Sequence, residues 1–410
     1  MKKMIWSCVM TLLAVFIPTS LFAGGAENKH NFSTEYIRTL NRNAATDSAD
    51  AVVYNPAGTV RMKDGFYLNL SGQYAMKEYS NTHQGTSYED DTPNIIPGAF
   101  LLYKKQNWAA FGALTVVCGG GEVEYEDGTV TTAALARNII LGSGGAYTTV
   151  HDQYLEGASY SLGYTLGSSY AFNDILSVAA GLRYVDAYRE RTGYAVLSGA
   201  APRKGFYLDY EEEADGWGGI LGLNLALSEN LNIGIRYETK TTLELETKVR
   251  RDDPGLLTDG GKTRRDLPPI VATGISWKIT PRLRAEFDFT YYQNSKATWD
   301  DIALSGADET VRGNSYETGL ALEYAFNDRI KGSIGYMYTD TGITPDNMSI
   351  EQPELNAQSI AAGVMVEASP ALSFNFGVMR SFYSDEVTSS GVLLEKEVFI
   401  LALGVQYRFY

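Results

Sequence analysis

The chain of 410 residues is acidic, with 49 Asp and Glu against 34 Lys and Arg and a formal net charge of −15. This balance lacks the basic footprint that nucleic-acid binding requires. After the amino-terminal segment, no run of about twenty apolar residues occurs, so the chain offers no transmembrane helix.

Residues 1–23 have the features of a secretory signal peptide. Lys2 and Lys3 are followed by an apolar stretch over residues 5–17, and Ala23 precedes the expected cleavage point. A membrane anchor is the alternative, but the apolar stretch is short for a span. Cleavage would leave Cys118 as the one cysteine of the mature chain, so no intrachain disulfide is expected.

Residues 24–63 show no regular alternation of apolar and polar side chains. They are polar and partly helical in character, and they precede the first alternating segment. If the rest of the chain is a barrel, this segment either hangs below it or plugs its lumen.

From Gly65 onward the pattern changes to period two. Phe66, Leu68 and Leu70 fall on one face, and Asn69 and Ser71 on the other. The same alternation recurs along the chain as far as Phe409. Strands with one apolar and one polar face are typical of a membrane barrel, whose lipid-facing and lumen-facing residues alternate.

The spacing of turns predicts the strand count. Short turns rich in Asn, Asp, Ser and Pro are expected near 104–107, 173–174, 228–230, 280–282, 327–328 and 369–370. Long polar connections are expected near 78–94, 119–152, 192–214, 248–266, 294–314, 339–357 and 383–396. Six short turns alternating with seven long loops predict an all-β transmembrane antiparallel β-barrel of about fourteen strands over residues 64–410. Within the second loop, residues 131–140 predict a short amphipathic helix.

A motif just before the first strand points to a family. The sequence Asn55-Pro56-Ala57-Gly58 ends the irregular segment, and this arrangement resembles the FadL family of outer-membrane transporters of long-chain fatty acids and other hydrophobic compounds. The resemblance implies that residues 24–63 form a hatch inside the lumen and that the protein is a monomer in a Gram-negative-type outer membrane, surrounded by lipid and lipopolysaccharide. The alternative for the motif is an ordinary turn.

The resemblance also implies a lateral route, in which the ligand leaves sideways where the third strand bends inward. Residues 107–118 are the expected third strand, and Gly112 is our candidate for the bend, because glycine in a strand often marks a bulge. A glycine that only makes room for a neighbouring side chain is an equally open alternative.

A carboxylate ligand would need a cation in the lumen. Arg183, Arg236 and Lys331 have inward parity and are the candidates. The alternative is that they pair with carboxylates of the same parity, which are Glu286, Asp288, Glu317 and Glu323.

The sequence gives no indication of an enzyme. Its three histidines are His30, His83 and His151, and no G-x-S-x-G nucleophile motif occurs. We expect no catalytic residues, no metal site and no cofactor.

The predicted function is passive uptake of long-chain fatty acids, or similar hydrophobic molecules, by lateral diffusion through the barrel wall. Two alternatives stay open: transport of another apolar ligand, such as an aromatic hydrocarbon, and a structural or adhesive barrel that transports nothing. An open diffusion porin is disfavoured by the plug segment.

Overall fold

Antiparallel strands close into a barrel in a computed structural model that describes residues 31–300 and 313–409. The described strands are β1 Gly65–His83, β2 Thr86–Asp90, β3 Asn94–Lys105, β4 Trp108–Tyr125, β5 Thr149–Ala171, β6 Leu176–Ser198, β7 Lys204–Ser228, β8 Leu231–Glu238, β9 Glu244–Asp252, β10 Lys262–Arg264, β11 Ile270–Lys278, β12 Leu283–Tyr292, β13 Ser315–Ala325, β14 Ile330–Asp340, β15 Ala357–Ser369, β16 Leu372–Tyr383, β17 Glu386–Val387 and β18 Leu393–Phe409. Four short ones, β2, β9, β10 and β17, prolong or flank a neighbour, which leaves fourteen barrel strands. The predicted fold class is confirmed.

The barrel is closed by its first and last strands. β18 pairs with β1 from Phe66 opposite Phe409 to Thr82 opposite Leu393. Closure removes the free sheet edges, which cannot be left unpaired in lipid.

Few helices accompany the strands. They are α1 Thr34–Thr39, α2 Ala51–Tyr54 and α3 Val130–Gly142, with 3₁₀ turns at Pro56–Arg61, Asn294–Lys296 and Pro345–Asn347. In the described ranges, none is long and apolar enough to cross a membrane. The predicted signal peptide, residues 1–23, and the first part of the predicted hatch lie outside the described residues.

Inward and outward side chains alternate as predicted. On β12, Glu286, Asp288 and Thr290 are buried in the lumen, whereas Phe287 between them is 39% exposed on the outside. Outward aromatics contact one another across neighbouring strands, as Tyr184 and Trp217 do with tilted rings 5.1 Å apart between centroids. The outer surface is therefore apolar and aromatic, as lipid contact requires.

The six short turns lie where the turn residues predict them. At one of them, Asn173 Oδ1 accepts hydrogen bonds from the backbone N–H groups of Ile175 and Leu176, at 2.9 and 2.8 Å. Asn327 makes the equivalent bonds to Arg329 and Ile330. These side chains satisfy backbone donors that the turn leaves without a ladder partner.

Some of the long loops are shorter than predicted because strands continue into them, whereas the loop predicted at 339–357 is found at residues 341–356. The expected loop over 192–214 is mostly β6 and β7, which are joined by residues 199–203 alone. β5, β6 and β7 have 23, 23 and 25 residues, whereas β11 and β12 have 9 and 10. Crossing a bilayer takes only about 9–11 residues, so these three strands form a wall that rises beyond the lipid. In these upper parts apolar residues such as Leu197 and Leu208 are buried on the inner face, so the pattern of an apolar outside and a polar inside no longer holds.

The amino-terminal segment lies inside the barrel. Residues 31–62 are almost all buried, and α1 contacts the inner faces of β13, β14, β15, β16 and β18. Ser33 caps α1 by accepting a hydrogen bond from the backbone of Tyr36 at 3.0 Å. Tyr36 stacks on Tyr54 with ring centroids 5.5 Å apart, so α1 and α2 pack on one another through aromatic rings.

Candidate functional site

The Asn-Pro-Ala-Gly segment lies against small and polar residues of the barrel wall. Asn55 Nδ2 donates to the carbonyl of Ala45 at 3.1 Å and to Asn224 Oδ1 of β7 at 2.7 Å. Ser177 of β6 donates to the carbonyl of Ala57 at 2.8 Å. Asn55 therefore ties two parts of the hatch to the wall. Gly58 leaves room for the Asn55 side chain, because a Cβ there would overlap it.

Glycines of the wall allow this close approach. A Cβ at Gly222 would lie 3.0 Å from the ring of Pro56, and one at Gly234 would overlap the carbonyl of Asn43. The wall of β7 and β8 is therefore shaped to the backbone of the hatch, and larger residues would push the hatch away.

Arg236 holds the hatch as well. Its Nη1 donates to the carbonyls of Val53 and Tyr54, each at 2.7 Å, at the carboxyl end of α2. Its Nε lies 2.9 Å from Glu238 Oε1, and Arg183 pairs with the other oxygen of Glu238. A guanidinium at this end of a helix satisfies its last carbonyls.

The three cations predicted to bind a carboxylate ligand therefore have other partners. Arg183 and Arg236 lie in the hatch seat, the part of the wall on β6, β7 and β8 that contacts the hatch. Lys331 lies beside a short turn, 3.5 Å from Glu323. None of them lines the cavity described next. All three lie beside inward carboxylates, as the alternative interpretation has it: Lys331 beside Glu323, and Arg183 and Arg236 beside Glu238, which was not among the expected partners.

Two carboxylates of the hatch are buried close together. Glu35 Oε1 accepts hydrogen bonds from Ser48 at 2.9 Å, Asn69 at 2.6 Å and Asn375 at 3.0 Å. Its Oε2 has no hydrogen-bond partner among the described residues. Burial, and then the negative charge of Asp50, raise the pKa of Glu35 to about 7. Protonation of Oε2 would relieve both effects.

A cavity of about 190 Å³ lies above the hatch, between it and the long-loop end of the barrel. Tyr36 of α1 forms part of its floor, and its walls come from residues of eight strands, from the segment after β12 and from the connection between β14 and β15. The apolar and aromatic lining residues include Tyr36, Ala75, Tyr79, Ile96, Tyr292, Trp299, Met337, Ile343, Leu355, Met379, Tyr383, Val398 and Ile400.

Two lysines, Lys77 and Lys396, line this cavity, as do the acidic residues Glu317, Asp340 and Glu354. Lys77 Nζ lies 4.6 Å and Lys396 Nζ 5.1 Å from the centroid of the Tyr79 ring, and Lys396 is also 4.8 Å from the ring of Tyr383. Lys77 additionally lies 3.4 Å from Asp90. Aromatic faces stabilise ammonium groups electrostatically, so two lysines share one aromatic platform beside an apolar space.

Sequence reasoning missed Lys396 and did not single out Lys77, although both have inward parity in their strands. The available signal was this parity, since Lys77 shares a face with Asn69 and Ser71. Parity does not show how far along the barrel axis a residue lies. That position decides whether an inward residue lines the cavity or the hatch seat.

The irregular stretch of β4 is not at Gly112. Gly112 pairs regularly with Leu101 of β3 and Leu166 of β5. The register against β5 shifts instead between Val116 and Cys118 and again between Cys118 and Gly121. Gly119 and Gly121 have φ of 118° and 75°, in the region that favours glycine.

A second apolar recess lies on the outer loops. It measures about 170 Å³ and lies between α3 and the tops of β6 and β7, where its lining includes Leu135, Tyr194, Phe206 and Leu208. α3 begins at a capping box on Thr129 and packs Ala136 against the wall. The predicted loop helix is confirmed, and it forms one side of an apolar recess at the surface.

These features define a class of protein. A closed barrel with a lipid-facing outside, a lumen filled by its own amino-terminal segment and an apolar cavity above that segment is the architecture of an outer-membrane channel for hydrophobic molecules. The chain belongs to the family of outer membrane transport proteins described as OMPP1/FadL/TodX, whose pattern matches residues 15–409.

Solved structures of this fold are similar over most of the chain. A FadL homologue of Pseudomonas aeruginosa superposes with a TM-score of 0.68 at 14% identity, over 96% of this chain and 100% of that one. The toluene transporter TodX of P. putida gives 0.66 at 14% identity, over 90% and 96%. The toluene transporter TbuX of Ralstonia pickettii gives 0.63 at 16% identity, over 89% and 95%. At these identities the likeness concerns the fold. A comparison with curated protein sequences finds no significant match.

Proposed function

We propose that this barrel takes up long-chain fatty acids, or closely similar amphiphiles, passively across the outer membrane. The observation that carries the proposal is the cavity above the hatch, which joins an aromatic and apolar wall to the ammonium groups of Lys77 and Lys396. Transfer of each CH₂ group out of water is worth about 0.8 kcal/mol, so an acyl chain has a strong reason to enter an apolar space. A carboxylate beside the two ammonium groups would gain a charge-assisted hydrogen bond.

The size of the cavity sets a condition on this proposal. Its volume of about 190 Å³ is close to that of an engineered cavity of roughly 150 Å³ that binds benzene. A long acyl chain needs more space than this. Since Tyr36 of the hatch lines the cavity, displacement of the hatch would provide the missing volume. The closed arrangement then corresponds to the ligand-free state.

The same volume favours a second candidate, a monoaromatic hydrocarbon. A single ring fits the cavity without movement of the hatch, and two of the similar structures are described as toluene transporters. A neutral ring would make no use of a carboxylate partner. The two candidates therefore differ in whether the lysines matter.

The route that we propose begins at the recess beside α3, where an apolar molecule is first held. It continues through the cavity and ends at the irregular stretch of β4, residues 117–121, where the ladder to β5 is interrupted. The outward residues Tyr160 and Leu162 of β5 flank that stretch, so a molecule leaving there would meet lipid.

Uptake of labelled oleate and labelled toluene by a strain lacking this gene, with and without the gene restored, tests the proposal. Faster uptake of oleate on restoration supports the fatty-acid proposal, and faster uptake of toluene alone supports the second candidate. If neither rate changes while the barrel is present and folded in the membrane, a structural or adhesive role replaces both.

A further inference from the structure

The connection between β14 and β15, residues 341–356, reaches into the mouth of the barrel. Tyr125 of β4 donates a hydrogen bond to the carbonyl of Glu351 at 2.7 Å, and Lys396 of β18 donates to that of Pro353 at 3.1 Å. Glu351 and Leu355 are only 5% and 2% exposed. The connection is thus held by inward side chains from two parts of the wall.

The two sides of this connection face different parts of the barrel interior. Glu354 and Leu355 line the cavity above the hatch. Gln352, two residues earlier, lies against Gly120 and Gly121 of β4, and its Nε2 donates to the carbonyl of Gly121 at 3.5 Å. The connection therefore stands between the cavity and the irregular stretch of β4.

The fit at β4 depends on the absence of side chains there. A Cβ at Gly120 would overlap the amide group of Gln352, and a Cβ at Gly121 would lie 2.6 Å from Asn94 Oδ1. The glycines thus leave a gap on the inner face of the barrel wall, and the side chains of Gln352 and Asn94 fill it.

Asn94 completes the partition. It is 1% exposed, lines the cavity on one side and approaches Gly121 on the other. Its Oδ1 accepts a hydrogen bond from the backbone of Glu122 at 3.1 Å, whereas its Nδ2 has no hydrogen-bond partner among the described residues. Because this buried Nδ2 donor has no partner there, Asn94 stabilises the partition less than a fully hydrogen-bonded side chain would.

We propose that residues 349–356 are an inner gate, which separates the ligand cavity from the barrel wall and must withdraw from Gly120 before a ligand can leave sideways. The inference rests on the function proposed above and adds to it the element that controls exit. Binding in the cavity and release through β4 are then separate steps, and the gate governs the second.

A reversible tether tests the gate. In the variant Gly120→Cys/Gln352→Cys, made with Cys118→Ser to prevent mispairing, the two positions are within reach of a disulfide, because a Cβ at Gly120 already meets the end of the Gln352 side chain. The parent Cys118→Ser is the matched control, and the two single-cysteine variants, which cannot cross-link within the chain, show what each substitution does by itself. Binding of oleate to the purified barrel and its uptake by cells are both measured, oxidised and reduced.

The gate predicts that the oxidised double variant binds oleate like its parent, that its uptake falls to the rate of cells without the protein, and that reduction restores uptake. Full cross-linking with unchanged uptake would overturn the gate. Absence of oleate and toluene uptake by the unmodified protein would instead remove the proposed function, which separates the two failures.

A second variant serves if the disulfide does not form. Gln352→Ala removes the side chain that fills the gap and leaves the backbone intact, so the gate predicts faster uptake than in the unmodified protein. Folding is checked by the heat-dependent shift of the barrel on gels. An unchanged or slower rate in a folded Gln352→Ala barrel counts against the gate.

Discussion

Arg38 of the hatch and Glu323 of β13 form a buried ion pair, with 2.7 Å between Nη1 and Oε2 and side-chain exposures of 3% and 5%. The pair joins the hatch to the barrel wall in a space with little water. Without Arg38, Glu323 keeps Arg284 and Lys331 at 3.2 and 3.5 Å, but the ion pair between hatch and wall is lost. The cost is therefore below the value of about 3–5 kcal/mol for a buried charge left unpaired.

We therefore expect Arg38→Met to loosen the hatch while the barrel stays folded. Hydrogen exchange over residues 31–62 should become faster, with no change in the exchange of the strands. Arg380→Met is the control, since its pair with Glu397 is exposed on both sides, at 52% and 64%, and such pairs contribute little. Equal protection of the hatch in both variants would contradict this role of Arg38.

The hatch can also be loosened by a substitution in the barrel wall, with its own sequence unchanged. Gly234→Ala places a methyl group against the carbonyl of Asn43, whereas Gly72→Ala on β1 meets nothing within 4 Å. Overpacking of this kind costs about 1–3 kcal/mol. We expect the first variant, and not the second, to show faster proteolysis between residues 31 and 62. Similar proteolysis of Gly234→Ala and Gly72→Ala would mean that the hatch does not pack closely against β8.

The lysines of the cavity give a prediction about ligand charge. Lys396→Met should weaken the binding of oleate by about 1.5–3 kcal/mol, the value of a hydrogen bond to a charged group, and leave the binding of methyl oleate unchanged. Lys331→Met is the control, because Lys331 does not line the cavity. Competition with a fluorescent acyl probe on the purified barrel measures the affinities for oleate and for methyl oleate. Loss of affinity for the neutral ester as well would assign Lys396 a structural role.

Glu35 predicts that the hatch responds to pH. Its pKa is raised to about 7 from an ordinary value of 4.5, chiefly by burial. A raised carboxyl pKa gives stability that is complete below pH 4.5 and is lost as the pH rises through 7. Protection of residues 31–62 against hydrogen exchange, corrected for intrinsic rates, should therefore be greater at pH 5 than at pH 8. Glu35→Gln should keep this protection and reduce its dependence on pH; a variant with undiminished dependence would show that another group is responsible.

Much of the barrel could be predicted because its signals are local. The turn at Asn173 forms through that residue's own side chain, and the inward positions of Glu286 and Asp288 follow from parity alone. The helix at Val130–Gly142 begins at its own capping residue, Thr129. None of these features depends on where the rest of the chain runs.

The site was less predictable because it depends on what fills the lumen. Parity shows that Arg236 points inward, but its partners are carbonyls of a segment about 180 residues away in the sequence. The run Gly119-Gly120-Gly121 was an available signal for the irregular stretch, whereas Gly112 is a lone glycine. The Gln352 side chain that meets Gly120 comes from a distant connection and has no such signal. Pairings of this kind come from the closure of the barrel.

The tall wall of β5, β6 and β7 has a consequence for molecules that approach from outside. Beyond the outer aromatic residues Tyr184 and Trp217, its outward face carries the exposed Asp186 directly opposite the exposed Asp215, whereas Glu213 is paired with Lys248 at 2.6 Å. Charges of one sign gathered on a surface bias the direction from which ions arrive. The two facing carboxylates therefore disfavour the approach of other anions at this point of the wall.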